Sequence, residues 1–99
     1  MRITKTAAAG TLESSDVLIT VEPESGSSIQ IEIEGSTAAR FGEQIRGVVA
    51  ETLAGFGVSA CRVRLQDKGA LDCTIRARLS AALLRASDET GPIAWEAFK

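Results

Sequence analysis

The sequence predicts an α+β domain in which an antiparallel sheet of two hairpins packs on one long amphipathic helix, with a short helix near the C-terminus. Three observations predict it. Several segments alternate apolar and polar residues with the period of a strand, one long segment repeats apolar residues with the period of a helix, and glycine, proline and serine cluster between them. With 99 residues, 44% of them hydrophobic, the chain is long enough to bury one modest core, so residues 1–99 are expected to form a single domain.

Val17 to Glu22 reads as the first strand and Ile29 to Glu34 as the second. In the latter, Ile29, Ile31 and Ile33 share one face while Gln30, Glu32 and Glu34 share the other. Pro23-Glu24-Ser25-Gly26-Ser27-Ser28 between them is rich in turn formers, which makes 17–34 the first hairpin. Gly35 stops the strand and Ser36 or Thr37 offers a helix cap. From there Phe41, Ile45, Val48, Val49, Leu53 and Phe56 recur at helical spacing, which predicts a helix over about 37–56 with Gly57 as its left-handed terminator.

The second hairpin is expected over 58–79. Cys61, Val63 and Leu65 alternate with Arg62, Arg64 and Gln66; Leu71, Cys73, Ile75, Ala77 and Leu79 then alternate with Asp72, Thr74, Arg76 and Arg78. A three-residue loop Asp67-Lys68-Gly69 with a left-handed glycine keeps the apolar residues on one face and sets Arg64 opposite Asp72. In that register Cys61 and Cys73 are small buried residues rather than reactive thiols. The alanine- and leucine-rich run over 79–87 predicts a short helix, broken by Gly91-Pro92. Residues 88–99, with Trp95 and Phe98, remain as a loose tail that docks either on this domain or on a partner.

The composition excludes several functions. Eleven basic and thirteen acidic residues leave a formal charge of −2 with no basic run, which disfavours nucleic-acid binding. No apolar stretch approaches the roughly 20 residues of a membrane span, and the N-terminus lacks a signal-peptide core; no membrane association and a cytoplasmic location are expected. The chain has no histidine and only two cysteines, so a Ser-His-Asp triad, a Cys-His pair and the common zinc patterns cannot be assembled. No glycine-rich phosphate loop is present.

What stands out instead is Gly10-Thr11-Leu12-Glu13-Ser14-Ser15-Asp16, two adjacent hydroxyls between two carboxylates. Small residues, Ala7-Ala8-Ala9, precede it and the first strand follows. It reads as an exposed serine site at the entrance to that strand, or as an ordinary polar loop, and spacing does not choose between Ser14 and Ser15.

With both halves read, the chain resembles the acyl carrier protein, or gamma subunit, of citrate lyase, nearly from end to end. The residues that carry the resemblance are 10–16 as quoted, Phe41-Gly42 with Ile45-Arg46, and Asp67-Lys68-Gly69-Ala70-Leu71-Asp72-Cys73 followed by Arg76-Ala77-Arg78. The resemblance implies that Ser14 bears, through a phosphodiester, a phosphoribosyl-dephospho-CoA group ending in a thiol. Glu13, Ser15 and Asp16 would flank it as recognition residues. It implies a carrier without catalytic residues of its own, whose thiol takes acetyl and citryl groups as thioesters between the transferase (alpha) and lyase (beta) subunits. A prosthetic-group transferase and an acetylating ligase would be its other partners. The carrier subunit of malonate decarboxylase uses the same kind of group and is the nearest alternative; an interaction module with an incidental serine loop is the alternative from another class. The common four-helix acyl carrier does not fit, because the Asp-Ser-Leu attachment signature is missing and alternating strands do not make a helical bundle. A phosphodiester set between Glu13 and Asp16 is mildly unfavourable by Coulomb repulsion, and a nearby cation, Lys68 or an arginine, is expected to offset it.

Overall fold

The computed structural model describes residues 1–87. It contains β1 (Ala7–Gly10), β2 (Val17–Glu22), β3 (Ile29–Glu34), α1 (Ala38–Gly55), β4 (Cys61–Asp67) and α2 (Asp72–Ala86). The class is α+β, as the alternating and helical periods predict. The four strands form one mixed sheet in the order β1-β2-β4-β3: β1 is antiparallel to β2, β2 antiparallel to β4, and β3 parallel to β4. One face of the sheet is covered by the helices, α2 lying over β1 and β2, and α1 against β3 and α2.

The core forms between that face and the two helices. Val17, Ile19 and Val21 from β2, Val63 and Leu65 from β4, Val49 and Leu53 from α1, and Leu79 and Leu83 from α2 are all fully buried. The other face carries the polar residues of the same strands. There Arg64 reaches Glu22 at 3.1 Å and Glu32 at 3.7 Å.

Neither expected hairpin forms. β4 lies between β2 and β3, so 17–34 is two strands separated by a third. The six residues 23–28 easily step over the roughly 10 Å that two inter-strand spacings require, and a turn-rich sequence does not distinguish that path from a tight return. Burial explains the choice. β4 has three fully buried side chains, Cys61, Val63 and Leu65, and is worth most at the centre of the sheet, whereas Ile31 and Ile33 of β3 are only partly covered. β1 supplies the partner that β2 would otherwise lack. Its Ala-Ala-Ala-Gly sequence has low strand propensity, and pairing with β2 overrides it.

The expected strand over 71–79 is the first part of α2, which begins at Asp72 rather than near Leu79. Alternation over five apolar positions coexists with a helical stripe, Ile75, Leu79, Ala82, Leu83 and Ala86, and it is the stripe that is buried. Asp72 in the first turn also suits the positive end of the helix. Arg64 and Asp72 therefore do not pair; Asp72 accepts from Gln44 Nε2 at 3.2 and 3.3 Å. Cys61 is buried as expected, but Cys73 is exposed.

The long helix matches its expectation, with Ile45, Val48, Val49 and Leu53 buried and Gly57 left-handed at φ 68°. Thr37 occupies the cap position without capping: its hydroxyl donates instead to Asp67 Oδ2 at 2.5 Å. Trp95 and Phe98 lie outside the described residues. Among the described residues no helix is long and apolar enough to cross a membrane.

Candidate functional site

The serine segment is the connection between β1 and β2. The register places it at the end of the sheet where β4 finishes, since Gly10 pairs with Leu18 and Val17 with Asp67. Gly10 leaves β1 at φ 100°, and a Cβ there would stand 1.8 Å from the Val17 carbonyl oxygen; only glycine fits so close to the backbone. Asp16 N–H then donates to Glu13 O at 3.1 Å, closing a four-residue turn with Ser14 second and Ser15 third. Ser15 is the one residue other than glycine with positive φ among those described, at 66°, the conformation that the third position of a type II turn requires.

The turn is clamped from two sides. Ser15 N–H donates to Lys68 O at 2.8 Å and Lys68 N–H donates to Asp16 O at 2.9 Å, which joins it to the β4–α2 connection. On the other side the guanidinium of Arg78 grips Asp16 twice, Nε to Oδ1 at 3.0 Å and Nη2 to Oδ2 at 2.9 Å. The same carboxylate accepts from Thr11 Oγ1 at 2.6 Å and from Val17 N–H at 2.7 Å, while Glu13 N–H donates to Thr11 Oγ1 at 3.2 Å. These bonds favour the ionised form. The Arg78 guanidinium, then Thr11 and the Val17 amide, hold the Asp16 carboxyl down at about 2 from an ordinary 3.8.

The four predicted site residues thus separate into two kinds. Asp16 is an internal strut with both oxygens engaged, and Ser15 holds the turn through its amide and its left-handed backbone. Glu13, Ser14 and Ser15 are all exposed at the corner, so exposure does not separate the two hydroxyls. The sequence did not reveal Arg78 as a member of this site: it stands 62 residues from Asp16, and nothing local marks their pairing.

Beside the turn lies a groove of about 640 Å³ between the first turns of α1 and α2, lined by Phe41, Gln44, Ile45, Leu71, Cys73 and Arg76 among others. Asp67 stiffens its floor, accepting from Thr37 as described and from Ala70 N–H at 3.0 Å. Gly69, left-handed at φ 90° as expected, turns the chain from β4 towards α2.

Comparison with known proteins agrees with this fold. A chain of the crystal structure of a Pseudomonas malonate decarboxylase hetero-tetramer in complex with malonate superposes with a TM-score of 0.64 over 88% of this chain and 93% of that one, at 19% identity. Residues 4–86 match the acyl carrier family model described as malonate decarboxylase delta subunit. Fold and family model together define an acyl carrier built on a mixed sheet instead of a four-helix bundle. Citrate lyase acyl carrier proteins are more similar in sequence. That of Haemophilus influenzae (strain 86-028NP) is 56% identical over 97 residues, 98% of each chain. That of Cronobacter sakazakii is 52% identical over the whole of both chains, and citrate lyase acyl carrier protein 2 of Salmonella typhimurium 50% over 98 residues, covering 99% of this chain and 100% of that protein. The chain belongs to the citrate lyase acyl carrier protein family.

Proposed function

We propose that this chain is the acyl carrier subunit of citrate lyase and that Ser14 is the attachment point of its phosphoribosyl-dephospho-CoA group. The observation that carries the reading is the turn itself: an exposed hydroxyl at the corner of a loop that is held rigid from behind. A covalent arm of that size needs open space in front of its anchor and a firm anchor behind, and the exposed corner backed by Arg78 and Lys68 meets both needs. When bound, the group supplies a terminal thiol that carries acetyl and citryl as thioesters between the transferase (alpha) and lyase (beta) subunits.

The chain's own residues do four things in this reading. Ser14 Oγ is the atom to be esterified. Asp16 cannot be the base that takes its proton, because that carboxylate is filled by Arg78, Thr11 and Val17; the prosthetic-group transferase supplies the base. Glu13 and Ser15 flank the hydroxyl as recognition contacts, and Asp16 acts through the turn it holds. Lys68, exposed beside the turn, balances the phosphodiester. Tethering makes each meeting with a partner active site intramolecular, at an effective concentration of about millimolar. The acetylating ligase is the remaining partner in this scheme. The 50–56% identities favour citrate lyase over malonate decarboxylase as the host complex.

Intact mass after incubation with the transferase and its activated donor tests the assignment. Wild type should gain the mass of one arm and Ser14→Ala none, while Ser15→Ala is still loaded. A mass gain that survives in Ser14→Ala refutes the site.

A further inference from the structure

We infer that a small cavity beside the serine turn seats the phosphoribosyl unit of the arm, its phosphate towards Lys68 and its sugar hydroxyls towards Glu34 and Gln66; the inference rests on attachment at Ser14. The cavity has a volume of about 260 Å³ and is lined by Leu12, Glu34, Gly35, Gln66 and Lys68. Glu34 and Gln66 are register partners on β3 and β4, and they belong to the polar face of the sheet that the helices leave open. Leu12 precedes Ser14 by two residues, and the Lys68 carbonyl accepts from the Ser15 amide at 2.8 Å, so two walls of the cavity adjoin the attachment point. At the third wall Gly35, at φ 118°, lets the chain leave β3 so close to β4 that a Cβ would stand 2.8 Å from the Asp67 carbonyl oxygen.

The lining groups choose the occupant. An ammonium can only donate and a carboxylate can only accept. Among the described residues neither Lys68 nor Glu34 enters an ion pair. Glu34 accepts one bond, from Gln66 Nε2 to its Oε2 at 3.3 Å, which leaves Glu34 Oε1 and the Gln66 carbonyl oxygen open. One unpaired cation, two open acceptors and the exposed Leu12 side chain suit a ligand with an anion at one end, hydroxyl donors at the other and a carbon framework between them. A sugar phosphate has that plan. The ammonium takes the phosphate, the open oxygens take the hydroxyls as a carboxylate takes a ribose hydroxyl in dinucleotide sites, and the leucine lies against the ring. The size agrees, since about 260 Å³ is below the roughly 300–1,000 Å³ of sites for larger ligands and leaves no room for the nucleotide beyond. The arm offers this unit first: its phosphodiester is on Ser14 Oγ and the ribose follows. The tether therefore delivers to the cavity the unit that the cavity fits, at an effective concentration of about millimolar. The rest of the arm, with its thiol, stays free to travel.

Nuclear magnetic resonance of the isotope-labelled, full-length chain reads occupancy without any activity measurement. The chain is loaded, the gain of one arm is verified by intact mass, and its spectra are set beside those of the unloaded chain. Loaded wild type should show nuclear Overhauser contacts from the ring protons of the phosphoribosyl sugar to the Leu12 methyls and to the Gln66 carboxamide protons, with the Gly35 and Gln66 amides shifted. Glu34→Ala, at an exposed position that keeps Lys68 in place, should weaken those contacts and return the Gly35 and Gln66 amides towards their unloaded positions. Loaded wild type without sugar contacts to Leu12 or Gln66 overturns the inference. So do contacts that come from the adenine protons instead, or sugar contacts that keep their full strength in Glu34→Ala. Absence of a mass gain on loading, or a gain retained by Ser14→Ala, instead sinks the attachment at Ser14 and the inference with it.

Discussion

Replacing Gly10 by alanine should destabilise the domain and disorder the serine turn together. Two effects add. At φ 100° an L-residue is strained by about 1–2 kcal/mol. The new Cβ would also fall 1.8 Å from the Val17 carbonyl oxygen, a main-chain atom that cannot swing aside like a flexible side chain. Relief requires β1 and β2 to part by more than an ångström where Gly10 faces Leu18, which sacrifices pairing worth about another 1–2 kcal/mol. The sum is about 2–4 kcal/mol, a fall in Tm of roughly 10–25 °C for a domain of this size. Gly26→Ala separates the two effects, because Gly26 has φ 91° but nothing within 4 Å of its added Cβ; it should lose only the strain, about 1–2 kcal/mol. Urea melts of the two variants, with loading of Ser14 by intact mass, provide the measurement. Equal losses for the two variants, or a loss below about 0.5 kcal/mol for Gly10→Ala, would refute the close-approach argument.

Asp16 predicts an acid limb in stability. Its folded value of about 2 lies below the ordinary 3.8, so its contribution is fully present above pH 4 and is lost as pH falls from about 4 to about 2. Asp16→Asn should flatten that limb in melts recorded between pH 2 and 5, and an unchanged limb counts against the Arg78 clamp. Gly47, in the middle of α1 with open space around its Cβ position, should gain about 1 kcal/mol on replacement by alanine, read as a raised urea midpoint at constant m-value. Arg46 Nη1 donates to Ile31 O on edge strand β3 at 2.7 Å, and Arg85 Nη1 donates to Ala8 O on edge strand β1 at 2.7 Å. The double replacement by alanine should cost less than about 1 kcal/mol per bond yet raise self-association in light scattering, because both edges then offer free carbonyls.

Much of the local structure was legible in the residues. Val17 to Glu22 and Ile29 to Glu34 alternate cleanly and are strands; the stripe from Ile45 to Leu53 is a helix; Gly57 and Gly69 are left-handed where turns were expected. Each of these depends on neighbours within a few residues. Misreadings came where local rules permit two answers. The alternation of Leu71, Cys73 and Ile75 contains half of a helical stripe, and the rest of the stripe, out to Ala86, decides the matter. Ala7 to Gly10 has no strand signal at all, and becomes a strand because β2 offers it an open edge.

From the residues alone it follows that this chain lacks the side chains for triad or zinc chemistry and that a polar serine segment lies next to a strand. The entry of β4 between β2 and β3, and with it the position of Lys68 beside the serine turn, is visible only once the chain is folded. Strand order follows from which apolar faces bury best together, a comparison over the whole core that no short window contains. For the same reason the site is a property of the fold: Arg78 and Lys68 reach residues 15 and 16 across more than fifty positions of chain, brought there by the packing of α2 over β1 and β2 and by the pairing of β4 with β2, and not by any motif.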